Sequence, residues 1–262
     1  MLPFRPCRSA IAGDVIPELI ALWQAIRDTP GLTADEYEKR WNRLQAEGHP
    51  AYYAIRESFN ATRNPHDLLF LTRTCVNGLI RFNSDGAFNN SLHHTRPGIA
   101  PARLRDVIRE WSAKIQGVEF IAADYHQTLA SVRAGDLVFL DPPYGGTRGR
   151  YVPHTFNPDK FYAELERLNG IGIKWILTFD GTAGQRSYAT TIPASLYKER
   201  LALPTGNSPF TKLMRTGIDA VVESVYLNFK PPTQFSNKVF KHRQQKSRAL
   251  VHLDMQQTRL FG

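Results

Sequence analysis

At 262 residues with 42% hydrophobic side chains, the chain suits one large domain, or a core domain with a smaller insertion, and argues against wholesale disorder. No apolar run reaches the roughly 18–20 residues of a membrane span, and no long apolar stretch follows the basic N-terminus, which argues against a transmembrane helix or a signal peptide. Two cysteines, Cys7 and Cys75, argue against a disulfide framework or a cysteine zinc site and suit a reducing cytoplasm; a net charge of +9 fits either a solvated basic surface or a polyanion partner.

The elements follow in chain order. "SAIAGDVIPELIALWQAI" reads as a short strand, an acidic turn and a helix, with Pro17 in the first turn and Leu19, Ile20, Leu22, Trp23 and Ile26 on one face. A second helix is expected over Leu32–Gly48, with Thr33 as N-cap, Glu36 three residues on and Gly48 as the stop. "AYYAIRESFNAT" and "HDLLFLTRTCVNGLI" read as two more helices, split by Asn64-Pro65. From Asn77 to Pro101 the texture changes to Asn, Gly, His and Arg without helical period, which predicts a long loop or hairpin of functional interest.

Alternation then resumes. Helices are expected in "ARLRDVIREWSAKI", "YHQTLASVRAG" and "PDKFYAELERLNGIG", and strands in "VEFIAAD", "DLVFLDPPY", "KWILTFDG" and "VVESVYLNFK". Strands alternating with helices predict an α/β fold with a largely parallel sheet. The last 32 residues form a polar, basic tail.

In open α/β sheets, ligands bind beyond the carboxyl ends of the strands. Three strands here end in an acidic residue: Asp14, Asp124 and Asp141. One such end means little, because acidic residues often cap the next helix. Three together suit ribose hydroxyls or an exocyclic amine, and no Gly-rich phosphate cradle accompanies them. The pattern favours a nucleoside-type ligand without a polyphosphate.

The stretch Asp141-Pro142-Pro143-Tyr144 resembles the catalytic motif of the amino-methyltransferases that use S-adenosylmethionine. The resemblance implies that Asp141 and the Pro142 carbonyl accept hydrogen bonds from an exocyclic amine, that Pro143 stiffens the turn, and that Tyr144 stacks on a flipped-out base. "NGLIRFNSDGAFNNSLH" further resembles the segment that leads into target recognition in Dam-like DNA adenine-N6 methylases. Asn77, Gly78, Arg81, Asn83, Gly86, Phe88 and Asn89 match that pattern, and Ser91 departs from it near a usual proline. The resemblance implies DNA contacts from Arg81, Asn83, Phe88, Asn89 and Arg96, with no base assigned to any one. Asn and Gly also build turns, and both roles are compatible. "IAGDVIPELIALW" and "FIAADYHQTL" resemble the family's cofactor segments, which implies that Asp14 binds the cofactor ribose and that Asp124, with Tyr125, receives its adenine; Asp141 borders the same pocket.

The implied fold is a Rossmann-like methyltransferase sheet with a small helical and hairpin recognition insertion. Residues 1–30 would open the catalytic domain, 31–112 form the recognition region, 113–230 complete the catalytic domain and 231–262 be the tail. Thirteen residues precede Asp14 and hold no Gly-rich turn, so the family's first central strand is expected to be missing, through truncation, a separate chain or decay. The expected function is methyl transfer from S-adenosylmethionine to adenine N6 in double-stranded DNA, in the cytoplasm, with no metal. A non-catalytic DNA-binding remnant, part of a split enzyme and an RNA base methyltransferase stay open as alternatives.

Overall fold

The structure is a computed structural model, described here for residues 9–95, 98–142, 156–183, 186–187, 192–207 and 220–231. Arg96, Pro143, Tyr144 and the tail from residue 232 lie outside the described residues. Strand β1 (Ala10–Asp14) runs into helix α1 (Pro17–Asp28), as its pattern requires. Ile20, Leu22 and Ile26 are buried, and Trp23 stacks on Phe120.

Helix α2 (Pro30–Glu47) starts earlier than the Thr33 signal suggested. Pro30 occupies its first turn, where a preset φ and a missing N–H are assets. Thr33 is therefore inside the helix and not its cap; its buried hydroxyl donates to the Ala25 and Thr29 carbonyls. Gly48, at φ 69°, ends the helix as expected.

Helix α3 (His49–Thr62) follows at once, and α4 (Pro65–Thr74) begins at an Asn64 side chain that accepts from the His66 N–H. The helix expected to continue to Ile80 stops at Thr74. Its extension is a single 3₁₀ turn, Val76–Gly78, broken by Asn77 at φ 57°. Up to Ala100 the described residues carry isolated bridges alone, Cys75 with Leu92 and Phe82 with Phe88, as a long loop would.

Helix α5 (Pro101–Lys114) leads to β2 (Val118–Ala122). The helix expected after it shrinks to α6 (Tyr125–Thr128) and a 3₁₀ turn, Leu129–Ser131. Strand β3 (Leu137–Leu140), helix α7 (Pro158–Gly170) and strand β4 (Lys174–Ala183) then appear where alternation placed them. Two strands were not anticipated, β5 (Arg186–Ser187) and β6 (Glu199–Asn207); β7 (Ala220–Leu227) was.

The architecture is mixed α/β, and the largely parallel expectation needs correction. β1 pairs with β2 in parallel and β3 with β4 in parallel, but β4–β5, β4–β7 and β6–β7 are antiparallel. Among the described residues the strands form two sheets, β1-β2 and β3-β4-β7-β6 with β5 on β4. The core divides likewise. One cluster joins α1 to α5 with the loop residues Phe88 and Leu92 and, at its margin, Val118 and Phe120 of β2. The other joins Leu129, β3, α7 and β4 around Phe161, Trp175 and Phe179. No described helix is long and apolar enough to cross a membrane.

Candidate functional site at the strand ends

Asp14 closes β1 opposite Ala122, so Asp124 lies just past the same end of the two-stranded sheet. The Asp14 carboxylate accepts from the Ile16 N–H at 2.8 Å. Burial raises its pKa, against the lowering pull of the Ile16 and Val15 N–H groups. Asp124 is the N-cap of α6 and accepts from the His126 N–H at 2.9 Å. Its capping role and a ligand role are compatible, because a carboxylate has several acceptor positions.

Tyr125 stands beside it. Its ring lies against His126 at 4.3 Å and edge-on to Phe161 at 5.5 Å. Burial, then the neighbouring Asp124 and Glu164 charges, push its phenol pKa up. His126 in turn faces the buried Glu164 at 3.5 Å, and Glu164 is held by Arg167 at 2.6 Å. The aromatic wall next to Asp124 is thus braced from α7.

Gly13 is where β1 and α6 touch. A Cβ there would sit 2.2 Å from Thr128 Oγ1, a distance no side chain tolerates. Sequence reading passed over this glycine, whose need shows only in the close approach of a strand and a helix distant in sequence.

Asp141 follows β3 and is exposed. The Thr178 hydroxyl of β4 donates to its Oδ1 at 2.6 Å. One carboxylate oxygen is thus oriented by the neighbouring strand. Thr178 had no signal in sequence, being 37 residues away on the next strand. Pro142 is the last described residue of the motif. The described residues therefore bring Asp14, Asp124 and Tyr125 together at one sheet end, and place Asp141 at the end of the other.

The loop that follows α4 hangs from the helical layer by polar locks. The Asn60 side chain accepts from the Phe88 N–H at 2.7 Å and donates to the Phe88 carbonyl at 3.1 Å. The Tyr52 hydroxyl donates to the Asn90 carbonyl at 3.0 Å. Tyr37 donates to the Ile99 carbonyl at 2.8 Å and accepts from the Ile99 N–H at 3.1 Å. Asn60, Tyr52 and Tyr37 escaped sequence reading because each sits within a regular helical pattern.

The residues singled out in this segment differ in what they offer. Arg81 is exposed. Asn83 Oδ1 accepts from the Asp85 and Ala87 N–H groups and so shapes the turn. Phe88, expected among the DNA contacts, is 1% exposed, its ring set edge-on to Phe59 and Phe82. Asn89 donates its N–H to the Arg81 carbonyl, while its buried side-chain oxygen has no partner among the described residues. Arg56, on α3, stacks over Tyr53 at 4.8 Å beside Asn90. Cys75 is buried, which pushes its thiol up to about 11 and makes it a poor nucleophile.

Comparison with known proteins bears on this arrangement. The family model of D12 class N6 adenine-specific DNA methyltransferases matches residues 4–176, a span holding all three acidic strand ends and the loop that follows α4. The retron Ec67 DNA adenine methylase of Escherichia coli is 32% identical over 165 residues, 59% of this chain and 54% of that protein. DNA adenine methylases of Serratia marcescens and Haemophilus influenzae are 29% and 28% identical over 146 and 138 residues, each covering 51% of this chain and 50% and 47% of their own. The chain spans about half the length of the curated relatives it matches.

Proposed function

Since the chain belongs to the D12 class N6 adenine-specific DNA methyltransferase family, we propose that it serves methyl transfer from S-adenosylmethionine to adenine N6 in duplex DNA. The observation that carries this reading is the Asp141 carboxylate, set at the end of β3 and oriented by Thr178. The donor set at the other sheet end suits the cofactor by its chemistry. Asp14 offers acceptors to ribose hydroxyls, Asp124 an acceptor to the adenine amine, and Tyr125 an aromatic face beside it. When bound, the cofactor supplies an electrophilic sulfonium methyl.

The chain's own residues then act on the target base. Asp141 and the Pro142 carbonyl accept from the two amine hydrogens of an extruded adenine. That draws the nitrogen lone pair out of the ring and towards the methyl. Tyr144 stacks on the base, replacing the neighbours lost on extrusion. Arg81 and Arg96 hold phosphates, and the Asn83–Asn89 turn presents the base-reading surface. The fold proposed for this chemistry is the Rossmann-like methyltransferase sheet, with residues 31–112 as the recognition region. Membership in a DNA-directed family supports duplex DNA over RNA as the substrate.

The test is transfer of labelled methyl from S-adenosylmethionine to duplex DNA and to RNA, with the product base identified by mass spectrometry. N6-methyladenine in DNA that disappears in Asp141→Ala is expected. Transfer that survives Asp141→Ala, or that goes to RNA, refutes the proposal, and no transfer at all refutes it for these 262 residues acting alone.

A further inference from the structure

Helix α7 buries one residue that its pattern does not ask for. Phe161, Glu164, Leu165 and Leu168 are its buried residues, at the i, i+3, i+4, i+7 spacing of a core-facing stripe. The stripe is apolar except at Glu164, whose carboxylate-bearing side chain leaves the residue only 7% exposed. Glutamate is almost never so buried unless paired, because a charge taken out of water costs heavily without partners. An apolar side chain at this position would pack against the same core without that cost. The stripe alone therefore does not account for Glu164.

Its partners do. Among the described residues the carboxylate meets Arg167 and His126. Arg167 Nε donates to Oε1 at 3.0 Å and to Oε2 at 3.1 Å, and Nη2 donates to Oε1 at 2.6 Å. The same Nη2 donates to the Leu129 carbonyl at 3.2 Å. His126 Nδ1 lies 3.5 Å from Glu164 Oε2. One turn earlier on α7, the Phe161 ring stands edge-on to Tyr125 at 5.5 Å. Phe161, Glu164 and Arg167, spaced three apart on α7, thus meet Tyr125, His126 and Leu129 in order along α6 and the turn after it.

His126 is the hub of this clamp. Its N–H binds the Asp124 carboxylate, its ring packs on Tyr125 with centroids 4.3 Å apart, and its Nδ1 faces Glu164. Holding His126 from α7 therefore holds both Asp124 and the Tyr125 ring. The phenol also feels the clamp: after burial and the Asp124 charge, the Glu164 charge helps to raise its pKa. Helix α6 spans only Tyr125–Thr128. One helical turn has little rigidity of its own, so the direction of the ring depends on such outside contacts.

We infer that Glu164 is a positioning residue for the donor site: with Arg167 it fixes His126 and the Leu129 turn, and through them sets Tyr125 and Asp124 where an adenine ring stacks and its amine is received. Glu164 touches no ligand itself. The inference rests on the proposed function, which makes Asp124 and Tyr125 the seat of the cofactor's adenine. Its signature is a separation of affinity from stability. The Arg167 side chain is 41% exposed, so water can take over its donors once the carboxylate is gone. A methionine at Glu164 would extend the apolar stripe of Phe161, Leu165 and Leu168. Replacing a buried ionic group by an apolar one of similar volume is often neutral or stabilising. Glu164→Met should therefore fold at least as well as the parent chain and hold the cofactor less tightly.

Three quantities are measured on the full chain and on each variant: the urea midpoint, the fluorine NMR resonance of a fluorotyrosine placed at Tyr125, and the Kd of S-adenosylmethionine by calorimetry. Glu164→Met should leave the midpoint equal or higher, move and broaden the resonance, and raise Kd about five- to tenfold. Glu164→Gln, which keeps the shape and an acceptor for Arg167, should weaken binding less. His126→Gln, which cuts the link to the ring and spares the Arg167 pair, should move the resonance as Glu164→Met does. Glu166→Gln, exposed on the same helix, should change none of the three. The inference is overturned if Glu164→Met leaves both resonance and Kd unchanged, or if its midpoint falls along with its affinity, as a packing role would require. If the unaltered chain takes no S-adenosylmethionine, the donor-site reading falls and the resonance alone decides the clamp: movement in Glu164→Met upholds it, and an unmoved resonance overturns it.

Discussion

Asn60→Ala isolates the lock that fixes the loop after α4, proposed above as the recognition region. The Asn60 amide satisfies both backbone groups of Phe88, accepting at 2.7 Å and donating at 3.1 Å. Phe88 is 1% exposed, so water does not readily replace the lost partner. Leaving a buried polar group unsatisfied costs about 1–3 kcal/mol, and two are stranded here. The segment can relax at its exposed tip around Ser84 and Asp85, which recovers part of that. The expected loss is about 2–4 kcal/mol, read as a lower urea midpoint with an unchanged slope. Exchange at the Phe88 amide should accelerate more than exchange in α1 or α7. DNA affinity should fall, while its log–log salt slope stays the same, because no cation has been removed. A midpoint shift worth under about 0.5 kcal/mol, with unchanged Phe88 exchange, would refute the lock.

Asp67→Ala should cost about 1–3 kcal/mol by urea unfolding, because Asp67 is 3% exposed, sits 2.6 Å from Arg40 and accepts from Ser58, while Glu36 still holds the Arg40 guanidinium once Asp67 is gone. Asp14→Asn should raise stability at pH 7: the folded pKa lies above the unfolded one, so the native state holds its proton longer and stability falls as pH rises through the carboxylate range. That gain should vanish below the unfolded pKa of about 3.9, and an equal gain at low pH would contradict it. Gly13→Ala should displace α6 and weaken S-adenosylmethionine binding in calorimetry, since its Cβ would lie 2.2 Å from Thr128 Oγ1; adding Thr128→Ala should restore part of the loss, and a silent Gly13→Ala would show the approach to be slack.

What sequence disclosed, and what it hid, follows from the range of the forces involved. Helix α1 was legible because Pro17 and a 3.6-residue apolar period act within one element. The acidic strand ends were legible because an apolar run halting at Asp is a local signal. Strand β6 was not, because Pro204 and Gly206 lie within it, where breakers normally deny a strand. The register with β7 shifts between those two residues, so the strand accommodates them at an irregularity that only its partner reveals. The overlong α4 and α6 failed for a related reason: a left-handed Asn77 and the early exit of the chain after Thr128 are set by tertiary contacts, against helix-tolerant side chains. Thr178, Asn60 and Gly13 each act across 28 residues or more, beyond any local pattern.

The short α6 has a part out of proportion to its length. It carries Asp124 and Tyr125, presses Thr128 onto Gly13 of β1, and runs into Leu129 in the core beneath β3. Arg167 of α7 donates to the Leu129 carbonyl, and His126 meets Glu164, so the same turn is tied to the second core. Asp14 belongs to one sheet and Asp141 to the other. In any reaction that needs donor and acceptor sites in register, their separation therefore depends on a four-residue helix and the turn after it. A helix that short contributes little rigidity of its own, since a single turn barely repays its nucleation. Its placement comes from the Thr128–Gly13 approach, the Asp124 cap and the Arg167 anchor.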